Sequence, residues 1–171
     1  MKKFLATLLV FVMVLSMAAC GKKEEANNTS EYVPNIEEGT AGLDFYEEFK
    51  SFLEANPSAT SLEIAEKLIA HESIQFMGGA MPVEAGFLQG FTEEISGFEE
   101  AAVFMPMMMG IPFVGYIFDL ADDADKEAFM TNLKEKGDLR WNICTEAEQM
   151  VVEAIGDKVL FLMCKKSLAE E

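Results

Sequence analysis

The feature that most constrains this chain is Ala101 to Phe118, AAVFMPMMMGIPFVGYIF, eighteen consecutive residues without a charge. By length alone such a run qualifies as a membrane span, which needs about 20 apolar residues. Its internal chemistry says otherwise. Pro106, Gly110, Pro112 and Gly115 interrupt it, Glu99, Glu100 and Asp119 flank it, and neither end carries a lysine or arginine to orient it in a bilayer. Two central strands joined at Met109-Gly110-Ile111-Pro112 account for the run.

The elements around it follow from periodicity and punctuation. Leu43, Tyr46, Phe49 and Leu53, with Phe45 and Phe52 beside them, form one helical stripe that Asn56-Pro57 ends. Thr60-Ser61-Leu62-Glu63 is a capping box, in which hydroxyl and carboxylate satisfy free backbone amides. Leu62, Ile64, Ala65, Leu68 and Ile69 continue at helical spacing to about His71. From Gln75 onward, Gly78, Gly79, Pro82, Gly86, Gly90 and Gly97 divide short apolar runs, a pattern for strands and turns. Asp122-Asp123-Ala124-Asp125 opens a third helix carrying Ala128, Phe129 and Leu133 and ended by Gly137. Val151 to Cys164 reads as a hairpin across Gly156-Asp157. That turn puts Val159, Phe161 and Met163 on one face with Ala154, Val152 and Met150, and sets Cys164 opposite Gln149. The expected fold is α+β: an antiparallel sheet with two N-terminal helices and one later helix packed on it, the helices covering one face.

The N-terminus is an address rather than a fold. Lys2 and Lys3, sixteen uncharged residues from Phe4 to Ala19 and small residues before Cys20 make a secretory signal over residues 1–19. The ending Ser16-Met17-Ala18-Ala19-Cys20 resembles the lipobox of bacterial lipoproteins, with Met17 in place of the usual leucine. The resemblance implies cleavage before Cys20 and diacylglycerol on its sulfur, a two-chain anchor that holds stably to a membrane. Residues 20–41, beginning GKKEEANNTSEYVPN after Cys20, are too polar to bury a core and read as a tether. Residues 42–171 then form a single extracytoplasmic domain.

The chain holds 13 basic and 30 acidic residues, a net charge of −17, and Arg140 is its sole arginine. Removing the signal takes away two lysines and makes the balance more negative still. Such a surface repels phosphate backbones, so nucleic acid is excluded as a partner. Charge does not by itself imply a cation site.

Cys144 and Cys164 remain once Cys20 is assigned to lipid. In an oxidising compartment they are a candidate disulfide, closing a loop of about 20 residues with a contribution of about 3 kcal/mol; the alternative is two thiols behaving as small hydrophobes.

Four groups carry side chains suited to chemistry. His71 is the only histidine and ends a helix; serine–histidine catalysis would need it to meet a nucleophile and an orienting carboxylate. Asp119, Asp122, Asp123, Asp125 and Glu127 are dense but fail the EF-hand frame, which needs glycine at position six and glutamate at twelve; an acidic helix start explains them. Met105, Met107, Met108 and Met109, with Met77, Met81 and His71 as further donors, suit copper(I) by softness. Strand alternation would point Met107 and Met109 away from Met108, however, and methionines in an uncharged run usually fill a core. Arg140, Trp141 and Asn142 are a candidate carboxylate-reading or stacking site. There is no phosphate loop or dinucleotide motif, so no cofactor is expected.

Phe76-Met77-Gly78-Gly79 with Met81-Pro82-Val83-Glu84, Ile111-Pro112-Phe113-Val114-Gly115-Tyr116 and Leu139-Arg140-Trp141-Asn142-Ile143-Cys144-Thr145 together resemble small lipoproteins of clostridia-type Firmicutes over about Leu43 to Lys166. The resemblance implies the outer face of a Gram-positive cell membrane and brings no catalytic residue with it. The reading that follows is a non-enzymatic, membrane-tethered extracytoplasmic domain that binds an envelope protein or a small ligand. A metal-handling protein, using the methionines or the acidic cluster, is the alternative, and a hydrolase around His71 is the third.

Overall fold

A computed structural model describes residues 34–169 of the chain. The elements run α1 (Ala41–Ala55), α2 (Ser61–Ile69), β1 (Gly78–Pro82), β2 (Glu100–Pro106), β3 (Val114–Asp119), α3 (Lys126–Lys136), β4 (Gln149–Ile155) and β5 (Lys158–Cys164). The strands form one antiparallel sheet in the order β1-β2-β3-β5-β4. The fold is α+β, with two helices before the strands and one after β3. No helix among the described residues is long and apolar enough to cross a membrane.

Local chemistry accounts for the element ends. In the capping box at α2, the Glu63 amide donates to Thr60 Oγ1 (3.2 Å) and the Thr60 amide donates to Glu63 Oε2 (2.8 Å). Asn56 stops α1 and turns its Nδ2 back to the Phe52 carbonyl at 3.0 Å. Asp125 caps α3 by accepting from the Ala128 amide at 3.0 Å. In the hairpin, Gly156 supplies the positive φ of 63° that the two-residue turn needs. The pairing is the expected one: Ala154 opposite Val159, Val152 opposite Phe161, Met150 opposite Met163 and Gln149 opposite Cys164.

The helices do not share one face of the sheet. On one side, Phe45, Phe49, Ile64 and Leu68 of α1 and α2 pack on Ala102, Phe104, Ile117, Leu160, Leu162 and Cys164. On the other, Phe129 and Leu133 of α3 pack with Ile95 on Val103, Tyr116, Phe118, Val159, Phe161 and Met163. The cause lies in β3 and β5, which are apolar at both parities, so each face needs its own cover. Each large side chain buried this way contributes about 1.5–3 kcal/mol against exposure.

Packed chain also begins earlier than residue 42. Ile36 packs against the α1–α2 core, Thr40 is buried, and the Ala41 amide donates to the Lys166 carbonyl at 2.8 Å. The signal segment, Cys20 and the tether up to residue 33 lie outside the described residues.

Cys144 and Cys164 are both free. Cys164 closes β5 inside the helix-covered core, where burial, only partly offset by the Gln149 amide, pushes its thiol up to about 12. Cys144 is exposed in the loop between α3 and β4. The two are therefore not bridged in this structure: Cys164 is buried in the core, while Cys144 is exposed on a segment tied by Asn142 and Thr145 to the Ile111 and Gly110 carbonyls.

Candidate functional site: a methionine-lipped groove

The register brings the end of β2, the start of β1 and the start of β3 to one end of the sheet: Pro106 pairs with Gly78, and Val114 with Met163. The connection there is longer than expected. Strand β2 stops at Pro106, which has no amide to continue the ladder, and Met107 to Phe113 form an irregular loop. Met107, Met108 and Met109 therefore leave the sheet. They are 71%, 70% and 101% exposed, which overturns their assignment to the core. Met77 and Met81 are exposed as well, and of the four in the run only Met105 stays partly buried against the sheet.

This loop is held from the other side by the segment following α3. Asn142 Nδ2 donates to the Ile111 carbonyl at 3.3 Å, and Thr145 Oγ1 donates to the Gly110 carbonyl at 3.0 Å. Between the two segments lies a groove of about 730 Å³, whose lining includes Met105, Met107, Met108, Met109, Trp141 and Cys144. The groove floor is set by the core, since Phe113 is buried against Phe45, Phe76 and Phe104. One wall comes from Gln89, whose carbonyl accepts from the buried Tyr116 hydroxyl at 2.8 Å. Burial pushes the Tyr116 phenol well above its ordinary range, so this latch stays protonated and donating at any physiological pH. Gly90 follows at φ +96°, where a Cβ would meet Met163 Cε at 2.8 Å; glycine is what lets this wall approach the sheet.

The expected trio of Arg140, Trp141 and Asn142 divides. Trp141 lines the groove and packs on the second core, with its indole Nε1 buried and unpartnered among the described residues. Asn142 is a loop latch. Arg140 points to solvent beside Glu146 at 3.8 Å and does not line the groove. Arg140 therefore does not join Trp141 and Asn142 at the groove.

The remaining candidates are also placed. His71 Nδ1 lies 2.7 Å from Ser73 Oγ and accepts from the Ser73 amide at 3.3 Å. These bonds close a half-buried turn after α2, beside Asp44, Glu47 and Glu48 in an open depression. No carboxylate hydrogen-bonds the ring among the described residues, so the orienting third member of a triad is missing. The acidic cluster is dispersed into structural roles. Asp119 binds Lys158 Nζ at 2.5 Å across the β3–β5 ladder, and Asp125 caps α3. Among the described residues, no three histidine, cysteine, aspartate or glutamate side chains converge to hold a metal ion. Comparison with protein-family models, curated proteins and solved structures finds no match to this chain.

Periodicity alone does not show the groove, because Met107 and Met108 read equally well as a continuation of β2. The signal for a longer loop is Pro106, which together with Gly110 and Pro112 places three breakers within seven residues and extends the connection beyond the Met109–Pro112 joint.

Proposed function

We propose that this chain is a lipid-anchored extracytoplasmic lipoprotein whose folded domain is a non-enzymatic binding module, and that the methionine-lipped groove is its binding surface. One observation carries the second half of this reading. Both faces of the sheet are covered by the chain's own helices and loops, yet Met107, Met108, Met109 and Ile143 stand exposed together at the groove mouth. Of the seven exposed large apolar side chains among the described residues, these four share one rim, while Met77, Met81 and Phe87 lie outside it; such a concentration marks a surface that is covered when the protein works. Methionine suits such a surface because its unbranched thioether chain adapts to differently shaped partners. The anchor rests on the lipobox-like ending at Cys20, and the excess of acidic residues keeps the domain off anionic headgroups at the end of its tether.

Two measurements test this reading. Cys20→Ser is expected to move the protein from the membrane fraction to the soluble one and to remove the mass of two acyl chains. Unchanged fractionation and mass would refute the anchor. For the groove, Trp141 is the only tryptophan, so its emission reports occupancy directly. The uncharged apolar dye Nile red should perturb that emission saturably, and Met108→Asp with Ile143→Asp should abolish the effect. A response that survives both substitutions would refute the groove as the binding surface.

A further inference from the structure

We propose that the groove is a copper(I) site, built from the thioethers of Met107, Met108 and Met109 with the thiol of Cys144. The proposal rests on the groove being the binding surface and names what binds there. Strand alternation is the geometric objection to such a site, and it does not apply. Residues 107–109 lie in bends and a turn beyond the end of β2, where consecutive side chains are not forced to opposite faces.

The thiol is brought to them by the two latches. Cys144 sits between Asn142 and Thr145, which bond to the carbonyls of Ile111 and Gly110, the two residues that follow Met109. Four sulfur-bearing side chains thus reach one groove from two loops, and Met105 adds a fifth at its base. Met107 is fixed from the other flank as well, its amide donating to the Met77 carbonyl at 2.9 Å.

Donor chemistry selects the ion. The groove lining contains no aspartate, glutamate or histidine, so a hard cation such as calcium or magnesium finds no carboxylate there. Thioether and thiolate sulfur prefer a soft ion, and copper(I) is the soft first-row ion that methionines bind. On binding, the Cys144 thiol gives its proton to solvent as the sulfur–metal bond forms, and no electron is transferred. The net charge of −17 raises the local concentration of any cation near the domain, while the apolar walls leave the sulfurs as the ligands. The high exposure of all three methionines fits a site that accepts and passes on an ion, since its donors wait in solvent instead of locked around a cage.

The test is an anaerobic competition on the full chain in detergent, with copper(I) presented as its bicinchoninate complex and Trp141 emission read alongside. Wild type is expected to withdraw about one copper per chain and to quench Trp141. The triple variant Met107→Leu/Met108→Leu/Met109→Leu keeps the apolar surface and removes the sulfur. It is expected to weaken copper uptake at least tenfold while Nile red still perturbs Trp141. Cys144→Ser should weaken uptake similarly, with circular dichroism checking that both variants are folded. Failure of wild type to withdraw copper, or uptake undiminished from wild type in the folded triple variant or in folded Cys144→Ser, overturns the proposal. In that event a retained Nile red response leaves the groove standing as an apolar binding surface, so the two readings fail separately.

Discussion

Gly115 is the second residue of the central strand β3, opposite Phe104 of β2. A Cβ at this position would lie 2.1 Å from Phe104 Cζ and 2.5 Å from both Cε atoms. The ring has nowhere to go. Phe104 is fully buried, with the Phe45 ring stacked 6.4 Å away and the Phe113 ring at 5.9 Å. Gly115→Ala is therefore an overpacking substitution, costing about 1–3 kcal/mol, offset by the roughly 0.5–1 kcal/mol that alanine gains over glycine in a strand. At mid-range values the net expectation is a loss of about 1 kcal/mol, or a Tm lower by about 3–5 °C for a domain this size. Urea unfolding followed by Trp141 fluorescence measures it, and m should not change if only the native state is affected. Phe104→Leu supplies the control. Alone it leaves a cavity and costs about 1–3 kcal/mol, but it removes the ring that blocks residue 115. In that background Gly115→Ala should cost little or nothing, giving a coupling of about 0.5–3 kcal/mol between the sites. A neutral or stabilising Gly115→Ala, or the same cost in both backgrounds, would refute the argument that the ring is why glycine stands here.

Three further outcomes follow from the same geometry. In Cys20→Ser protein without reductant, one thiol should react with a maleimide under native conditions and a second only in urea, because Cys164 is buried with its thiol pushed up to about 12; no reactive thiol in urea would restore the bridge. Lys158→Met should destabilise by about 3–5 kcal/mol by leaving Asp119 unpaired in a largely buried position, and adding Asp119→Leu should recover much of that loss; equal instability of single and double variants would argue against the pair. The Glu63 carboxyl is held below its ordinary 4.5 by the Thr60 amide and then its hydroxyl, and that of Glu148 by the Lys165 ammonium and then the Lys166 amide. Each pKa is lower folded than unfolded, so the stability they add is present above about pH 4.5 and lost as pH falls through the folded values. Urea midpoints measured from about pH 6 to about pH 3 should therefore fall less steeply in Glu63→Gln/Glu148→Gln than in wild type.

Much of the fold was legible because it depends on neighbours in sequence. The Thr60–Glu63 box involves residues three apart, and the Gly156-Asp157 turn sets every pair in β4–β5 once its length is known. Helices α1 and α2 announced their buried faces through apolar spacing. The site was less legible because it depends on where strands stop. Whether Met107 belongs to a strand or to the loop beyond it decides between core and surface, and period alone does not mark that boundary. Cys144 and Trp141 come to the same groove through hydrogen bonds from Asn142 and Thr145 to carbonyls more than thirty residues away.

The sequence by itself determined the element types, the hairpin register and an antiparallel α+β arrangement, since each rests on short-range sterics, capping or alternation. It also determined the acidic surface, which is a matter of counting. Only the tertiary structure decided that α3 covers the face opposite α1 and α2, and that Cys164 is buried while Cys144 is exposed. Only it gathered Met107, Met108, Met109, Trp141 and Cys144 around one groove. Those outcomes depend on which strands are adjacent and on which loops meet at the end of the sheet. Long-range pairing sets both, and no local pattern encodes it.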